Sequence, residues 1–313
     1  MLFPLLLACA SPQAEPGAAP FARAPTPAAH EALPLPRVGP SLSGLCDAST
    51  ATRRPDGSFL VGDDERSELY PFSARGQRGK PVPLGIEGKE LDIEGSARSA
   101  NGIWWVASHD RGKGTQPKPD RQHLFRTNDA GVVQADVRDV WARLLAHPEL
   151  GPLLRATEGT TSKDEAGFSI EALHATSDGL WLGLRAPIVD GKALLVQLTD
   201  IEAAPTVAKV LRVDLEGRGW RGLEPHGDGL YGLAGPASDD GDFRLVRVDL
   251  PNAGVDWLDV DFGTQRPEGL VSLEEGLLAI SDDGKVDVGG TKCRKLPPDA
   301  RRARTMWVVG PAK

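Results

Sequence analysis

Residues 171–185 read EALHATSDGLWLGLR. The stretch is a small-residue strand, an Asp178-Gly179 turn and a second, strongly apolar strand. Asp-Gly between two such strands is the strongest short-range hairpin signal, because both residues accept the left-handed backbone of a tight turn. The same grammar returns at Asp56-Gly57, Asn101-Gly102, Asp228-Gly229 and Glu275-Gly276, with departing strands such as IWWVAS, LYGLAG and LLAIS. Successive turn glycines are 45, 77, 50 and 47 residues apart. Three of these spacings fall at or near the roughly 40–50 residues of one propeller blade.

A third, alternating strand follows each hairpin: ELYPFS, QHLFRTN, ALLVQLT, FRLVRVDL and TMWVVG. Four repeats add another: PVPLGI, VVQADV, AKVLRVDL and VDWLDVDF. The last repeat reaches Lys313 without a fourth strand, and the stretch from Ala32 to Val38 can supply it. Closure of that kind leaves only short, protected edges. The long interval carries DVRDVWARLLAHPELGPLLRA, read as a helical insertion between blades over about residues 138–156. The expected fold is all-β, a five-bladed β-propeller formed by residues 32–313 as one domain. The alternative is six blades, one of them degenerate and hidden in the insertion.

The chain has 313 residues, with 36 Lys plus Arg against 44 Asp plus Glu and a net charge of -8. That balance argues against a nucleic-acid binder, whose footprint is basic, and against electrostatic docking on anionic lipid. Two Met and three Cys exclude a Met-rich groove, a disulfide-dense scaffold and a multi-cysteine metal site. Residues 2–10, LFPLLLACA, are too short to span a bilayer and read as the apolar part of an export signal over residues 1–10. Leu6-Leu7-Ala8-Cys9 resembles a bacterial lipobox, in which the cysteine is lipidated and becomes the mature N-terminus. Ala10 in place of aspartate then favours the outer membrane, with the protein facing the periplasm or the surface and touching membrane only through its lipid. Ordinary cleavage after Ala10 is the alternative and gives a soluble secreted protein. Residues 11–31 are rich in Ala and Pro and read as a semi-rigid tether.

Aligned on the turn glycine, Glu94, Glu171, Arg221 and Glu268 stand eight residues before it, and Asp47 takes that place when the longer first turn is allowed for. Six and seven residues after it stand Asp63-Asp64, Ser108-His109, Arg185-Ala186, Gly235-Pro236 and Asp282-Asp283. A hairpin returns the chain to the face it left, so these positions converge on one mouth of the central channel, where scaffolds carry concave sites. Asp47, Asp63, Asp64, Glu94, Glu171, Glu268, Asp282 and Asp283 make that mouth acidic, with Arg185, Arg221 and His109 opposing them.

Carboxylates packed this closely raise one another's pKa and call for arginine partners or a hard cation. Oxygen-only donors suit calcium. Glu94, Glu171 and Glu268 are the expected metal ligands, and the aspartates complete a site for a small polar ligand. In a second reading the mouth is a metal-dependent hydrolase of phosphate or related esters. Glu171 and its neighbours then hold metal or act as base, Arg185 and Arg221 bind the anion, and His109 moves protons. In a third reading the repeated carboxylates lock blade to blade, and the outer surface binds a protein partner. No nucleophile elbow, phosphate-binding glycine loop or zinc motif occurs in the sequence. Cys46 and Cys293 fall in neighbouring blades of a closed ring and are expected to form a disulfide in an oxidising compartment.

At these residues the chain resembles a bacterial domain family of unknown function. The likeness runs through Asp63-Asp64-Glu65, Asp92-Ile93-Glu94-Gly95, the segment Trp105 to His109, and Ile170-Glu171-Ala172-Leu173. It continues through Gly183-Leu184-Arg185-Ala186-Pro187, Gly217-Arg218-Gly219-Trp220-Arg221 and Ala234-Gly235-Pro236. Ala172 and Glu216 stand where the family usually has glycine. The family is in turn distantly similar to phytase-like secreted propellers, which implies calcium and phosphate esters by fold-level analogy.

Overall fold

Five antiparallel four-stranded sheets follow one another along the chain in the computed structural model, which describes residues 35–88, 90–111, 118–238 and 241–312. The first blade runs through Ala48–Arg53, Phe59–Asp63, Glu68–Phe72 and Val82–Pro83. The second, third and fourth begin with Ile93–Ser99, Ser169–Thr176 and Gly219–His226, each the innermost strand of its sheet. The fifth joins Pro267–Leu273, Gly276–Ser281 and Thr305–Val309 to the N-terminal strand Arg37–Val38. Arg37 lies opposite Trp307 and Val38 opposite Met306, so the chain's two ends share one blade. Pro267–Leu273 touches both Gly219–His226 and Ala48–Arg53, which closes the ring. The molecule is therefore the five-bladed propeller. The signal, tether and Cys9 lie outside the described residues, among which no helix is long and apolar enough to cross a membrane.

The insertion contains two short helices, Val140–Ala146 and Leu150–Arg155, rather than the single helix expected. The break falls at His147, which is extended because the ring of Pro148 disfavours a helical backbone before it. Val140, Leu144, Leu150 and Leu154 are fully buried in the apolar seam between the second and third blades. The other seams have cores of their own: Leu60, Leu69, Ile93 and Trp105 between the first two blades, and Trp181, Leu195, Trp220 and Val246 between the third and fourth. Each such side chain contributes about 1.5–3 kcal/mol by leaving water, and every seam depends on both of its blades.

One irregularity repeats in every blade. The register of the innermost strand slips between Ala48 and Thr50, Ile93 and Gly95, Ile170 and Ala172, Trp220 and Gly222, and Pro267 and Gly269. The extra residues are Ser49, Glu94, Glu171, Arg221 and Glu268. A bulge sets two residues against one and re-aims a side chain that strict alternation would direct elsewhere. The small residue that follows lets the blades close together. A Cβ on Gly95 would stand 2.8 Å from Val106 Cγ1 and 3.1 Å from Leu173 Cβ, and one on Gly269 would stand 3.1 Å from Thr50 Cα. Ala172 is accommodated because its neighbour is Gly183, where a Cβ would come within 2.7 Å of the Ala172 methyl.

The bulges correct one assignment. The residue of the first blade equivalent to Glu94 is Ser49, and Asp47 lies before the strand, bridged to Asp282 of the fifth blade. Allowing for the longer turn moved the alignment by two residues, whereas hydrogen-bond register counts back from Ala48 opposite Asp63.

Candidate functional site

At the bulge end of the channel a cavity of about 190 Å3 is lined by side chains from all five blades. Asp64, Glu94, Glu171, Arg185, Arg221, Glu268 and Asp282 face it, as the sequence predicts. So do Asp92, Asp110 and Arg121 of the second blade, and Lys285 and Arg294 of the segment after the fifth blade's hairpin. The wall is a mosaic of both signs rather than a uniformly acidic surface.

One half of the mosaic is tied up. Glu171 accepts from Arg185 Nη1 at 2.9 Å and from Arg221 Nη1 at 2.6 Å, and Arg221 Nη1 also reaches Glu268 Oε1 at 2.9 Å. Further donations go to backbone: from Arg185 to the carbonyls of Ala237 and Ser238, and from Arg221 Nη2 to that of Pro236, while Arg221 Nε has no hydrogen-bond partner among the described residues. Burial alone would raise the Glu171 carboxyl, but Arg185 and Arg221 hold it below the usual range. Three blades are thus stitched by one chain of ion pairs. A second stitch lies in the second blade, where Arg121 meets Asp92 at 2.7 Å and Asp110 at 2.6 Å and also pairs with Glu90. Burial and the Asp110 charge push Asp92 up to about 7.

The other half is open. Among the described residues, Glu94 makes no hydrogen bond or ion pair, and Asp64 Oδ1 is buried without a hydrogen-bond partner. Burial holds Glu94 well above the carboxylate range, with Glu171, Asp92, Glu268 and Asp64 adding repulsion. Asp64 is raised in the same way, by burial and then by Asp282 and Asp47. Burial and the neighbouring carboxylates also push Glu268 up to about 7, against the opposing pull of Arg221.

Beside Asp64, carboxylate oxygens of Asp47, Asp64 and Glu65 lie within 4.8 Å of one another. Oxygens this close can converge on one hard cation, with contacts of about 2.3–2.6 Å, after small side-chain adjustments. Glu94, Glu171 and Glu268, the expected ligand set, do not form such a group among the described residues, and two of them are bound to Arg221 instead. Arg294 caps the Asp47 group, 2.6 Å from Asp47 Oδ1 and paired with Glu65. Burial outweighs that guanidinium and pushes Asp47 up to about 6.

Three predicted residues turn away from the cavity. Asp63 is fully buried, accepting the Glu65 N–H at 2.8 Å and meeting Arg66 at 3.2 Å. Asp283 is clasped by Arg304 through its backbone N–H at 2.7 Å and its guanidinium at 2.6 Å, which fixes the return of the last blade. His109 is buried, with Nδ1 2.8 Å from its own Ala107 carbonyl, and burial pushes it down to about 4. The structure does not bring its ring to the carboxylates.

Sequence reasoning missed Asp92, Arg121 and Arg294. Asp92 stands two residues before Glu94 in the stretch Asp92-Ile93-Glu94-Gly95, where the repeat alignment marks only Glu94. Arg294 follows Cys293, and only the ring closure reveals that it reaches the first blade. There Cys46 and Cys293 are bonded, with an S–S distance of 2.05 Å and Cα atoms 5.9 Å apart.

Fold and mouth together define a five-bladed propeller with a half-paired, charged channel mouth. Residues 115–256, less than half of the chain, match the family described as protein of unknown function, DUF3616. With the propeller arrangement, this match supports an uncharacterised propeller-domain family. No curated protein matches the chain. Among solved structures the chain is similar to regucalcin, a calcium-binding protein from Agrobacterium tumefaciens str. C58, at 14% identity and a TM-score of 0.46, over 88% of this chain and 95% of that one. It is also similar to virginiamycin B lyase from Staphylococcus aureus, at 10% identity and a TM-score of 0.37, over 83% of this chain and 66% of that one. Likenesses this distant say nothing about the chemistry of the mouth.

Proposed function

We propose that the chain is an exported, lipid-anchored propeller whose mouth binds a hard divalent cation, calcium being the best fit, or a small polar ligand held with it. The observation that carries this reading is the pair Asp64 and Glu94, carboxylates that line the cavity and form no ion pair among the described residues. Asp64 also belongs to the oxygen-only group with Asp47 and Glu65, a donor set suited to calcium. An ion there relieves the repulsion that burial intensifies, and Arg294 is displaced from Asp47 as it binds. Export through the Cys9 lipobox to the outer membrane is part of the same proposal, and a disulfide between Cys46 and Cys293 agrees with an oxidising compartment.

The hydrolase reading is less favoured. It assigns the substrate anion to Arg185 and Arg221, which are engaged by carboxylates and backbone carbonyls.

The test is thermal unfolding in chelator, then in calcium, then in calcium with inorganic phosphate. A ligand specific to the folded state raises the midpoint, by about 2.7 kcal/mol of stability at a hundredfold excess over Kd. The expected result is a rise with calcium that Asp64→Asn abolishes and Glu94→Gln weakens. No rise in wild-type protein, or an undiminished rise in Asp64→Asn, overturns the reading. A further rise with phosphate revives the hydrolase.

A further inference from the structure

The channel has a second mouth, at the hairpin-turn ends of the innermost strands. A cavity of about 180 Å3 opens there, and each of the five strands contributes to it: Thr52, Ala97, His174, Glu224 and Ser272 in blade order. None of these residues takes part in the site described above. Glu224 is 7% exposed. Its Oε1 accepts the Ser272 N–H at 3.0 Å, and among the described residues its carboxyl has no other hydrogen bond or ion pair. The His174 ring has none at all among them.

The two arginines that line the cavity hold partners outside it, and the charge of Arg98 still draws the Glu224 carboxyl down against its burial. Arg98, from the second blade, donates Nε to the Arg53 carbonyl at 2.8 Å and Nη2 to Asp129 at 2.7 Å. Arg53, from the first, reaches Glu274 at 3.4 Å. On the strand of Glu224 itself, the His226 ring bonds Ser272 Oγ and the Gly310 carbonyl, both at 2.8 Å. The Glu224 carboxyl and the His174 imidazole line the cavity beside the Ala97 methyl and the side chains of Thr52 and Ser272.

We propose that this second mouth binds the ammonium head of a small amine, with Glu224 as its counter-ion and His174 as a neutral acceptor. An ammonium group offers three donors and one positive charge, which matches a carboxylate and an unprotonated imidazole. A carboxylate-bearing ligand meets the Glu224 carboxyl there, while Arg98 and Arg53 already carry partners in the Arg53 carbonyl, Asp129 and Glu274. Burial pushes Glu224 up to about 8 and His174 down to about 4, so both are largely neutral at pH 7 before the ligand arrives. Binding then ionises Glu224, and its proton leaves to solvent. The ammonium keeps all of its own protons, so charge and atoms balance.

Calorimetry of the full chain with ethylammonium chloride, at pH 7 in two buffers of different ionisation enthalpy, tests this. The expected result is saturable binding with release of about one proton per site. Glu224→Gln is expected to abolish it and His174→Phe to weaken it at least tenfold, while Glu94→Gln leaves it unchanged. That last variant separates this site from the cation mouth, so either can fail alone. Absence of saturable heat in wild-type protein overturns the proposal, as does binding without proton release or a wild-type affinity in His174→Phe. Equal binding of sodium acetate also overturns it, because it shows that the arginines rather than Glu224 select the ligand. Should Glu224→Gln not fold, proton release and the His174→Phe affinity still decide.

Discussion

Arg221 and Glu171 face each other at 2.6 Å across the seam between the third and fourth blades, and both are more than nine-tenths buried. Both are bulge residues, so the same local irregularity in two successive blades supplies the two halves of one ion pair. The repeat is therefore neither a pure ligand site nor a pure lock. Where one blade carries arginine, the neighbouring carboxylates are neutralised. Where no arginine follows, as at Glu94, a carboxylate is left facing the cavity.

Breaking that pair leaves buried charge without compensation. Arg221→Met is expected to lower stability by about 3–5 kcal/mol, because Glu171 loses one partner and Glu268 loses its guanidinium. Arg221→Met with Glu171→Gln is expected to cost less than the sum of the two single changes, since contacting residues do not act additively. Urea unfolding of the four proteins measures this. Strict additivity would show that the pair is not a lock.

The raised carboxyls set the pH dependence of the metal-free protein. Asp92 and Glu268 are both pushed up to about 7 in the folded state, against ordinary values of 3.8 and 4.5. Between those limits the folded protein holds protons that the unfolded chain has lost, so stability falls as pH rises from about 4 to 7. The loss is at most about 1.4 kcal/mol per pH unit for each group. Glu171, held low, acts in the opposite sense below its ordinary range, and the buried His109 and His174, held down to about 4, oppose the fall between about 4 and 6.5 but are outnumbered by the raised carboxyls, which include Asp47, Asp63 and Glu224. Unfolding midpoints from pH 5 to 8 in chelator are expected to fall, and less steeply in Glu268→Gln. A midpoint that rises across this window would contradict the burial of these groups.

The glycines after the bulges are not equivalent. Gly95→Ala is expected to cost about 1–3 kcal/mol, because its methyl meets Val106 at 2.8 Å and Leu173 at 3.1 Å in a packed seam. Gly222→Ala places its methyl 3.4 Å from the Glu268 carbonyl and 3.5 Å from Leu233, ordinary contact distances. It is expected to be neutral, or stabilising by up to about 1 kcal/mol through the entropy of the unfolded chain. Denaturation midpoints of the two variants read the difference directly, and equal effects would mean that the blades are not packed as closely at Gly95.

The period of the hairpins and the spacing of the turn glycines determined the propeller and favoured five blades over six, with a closing strand from the stretch Ala32 to Val38; the structure decided for five blades and for Arg37–Val38. Those features are local, since a tight turn and alternating burial are written in adjacent residues. The charged residue beside a small one was legible for the same reason, and with it the face on which Glu94, Glu171, Arg221 and Glu268 meet. The pairing among them was not. Whether Glu171 binds an arginine or stays open depends on which side chain the next blade presents, some 50 residues away in Arg221. The equivalence of Ser49, rather than Asp47, to Glu94 rests on hydrogen-bond register, which a change in turn length conceals. His109 and Asp283 were drawn to the mouth by their position after the turn, yet the end of the strand turns their side chains into protein. Composition announced an acidic chain, and only the closed ring decided which carboxylates are neutralised and which remain open to a ligand.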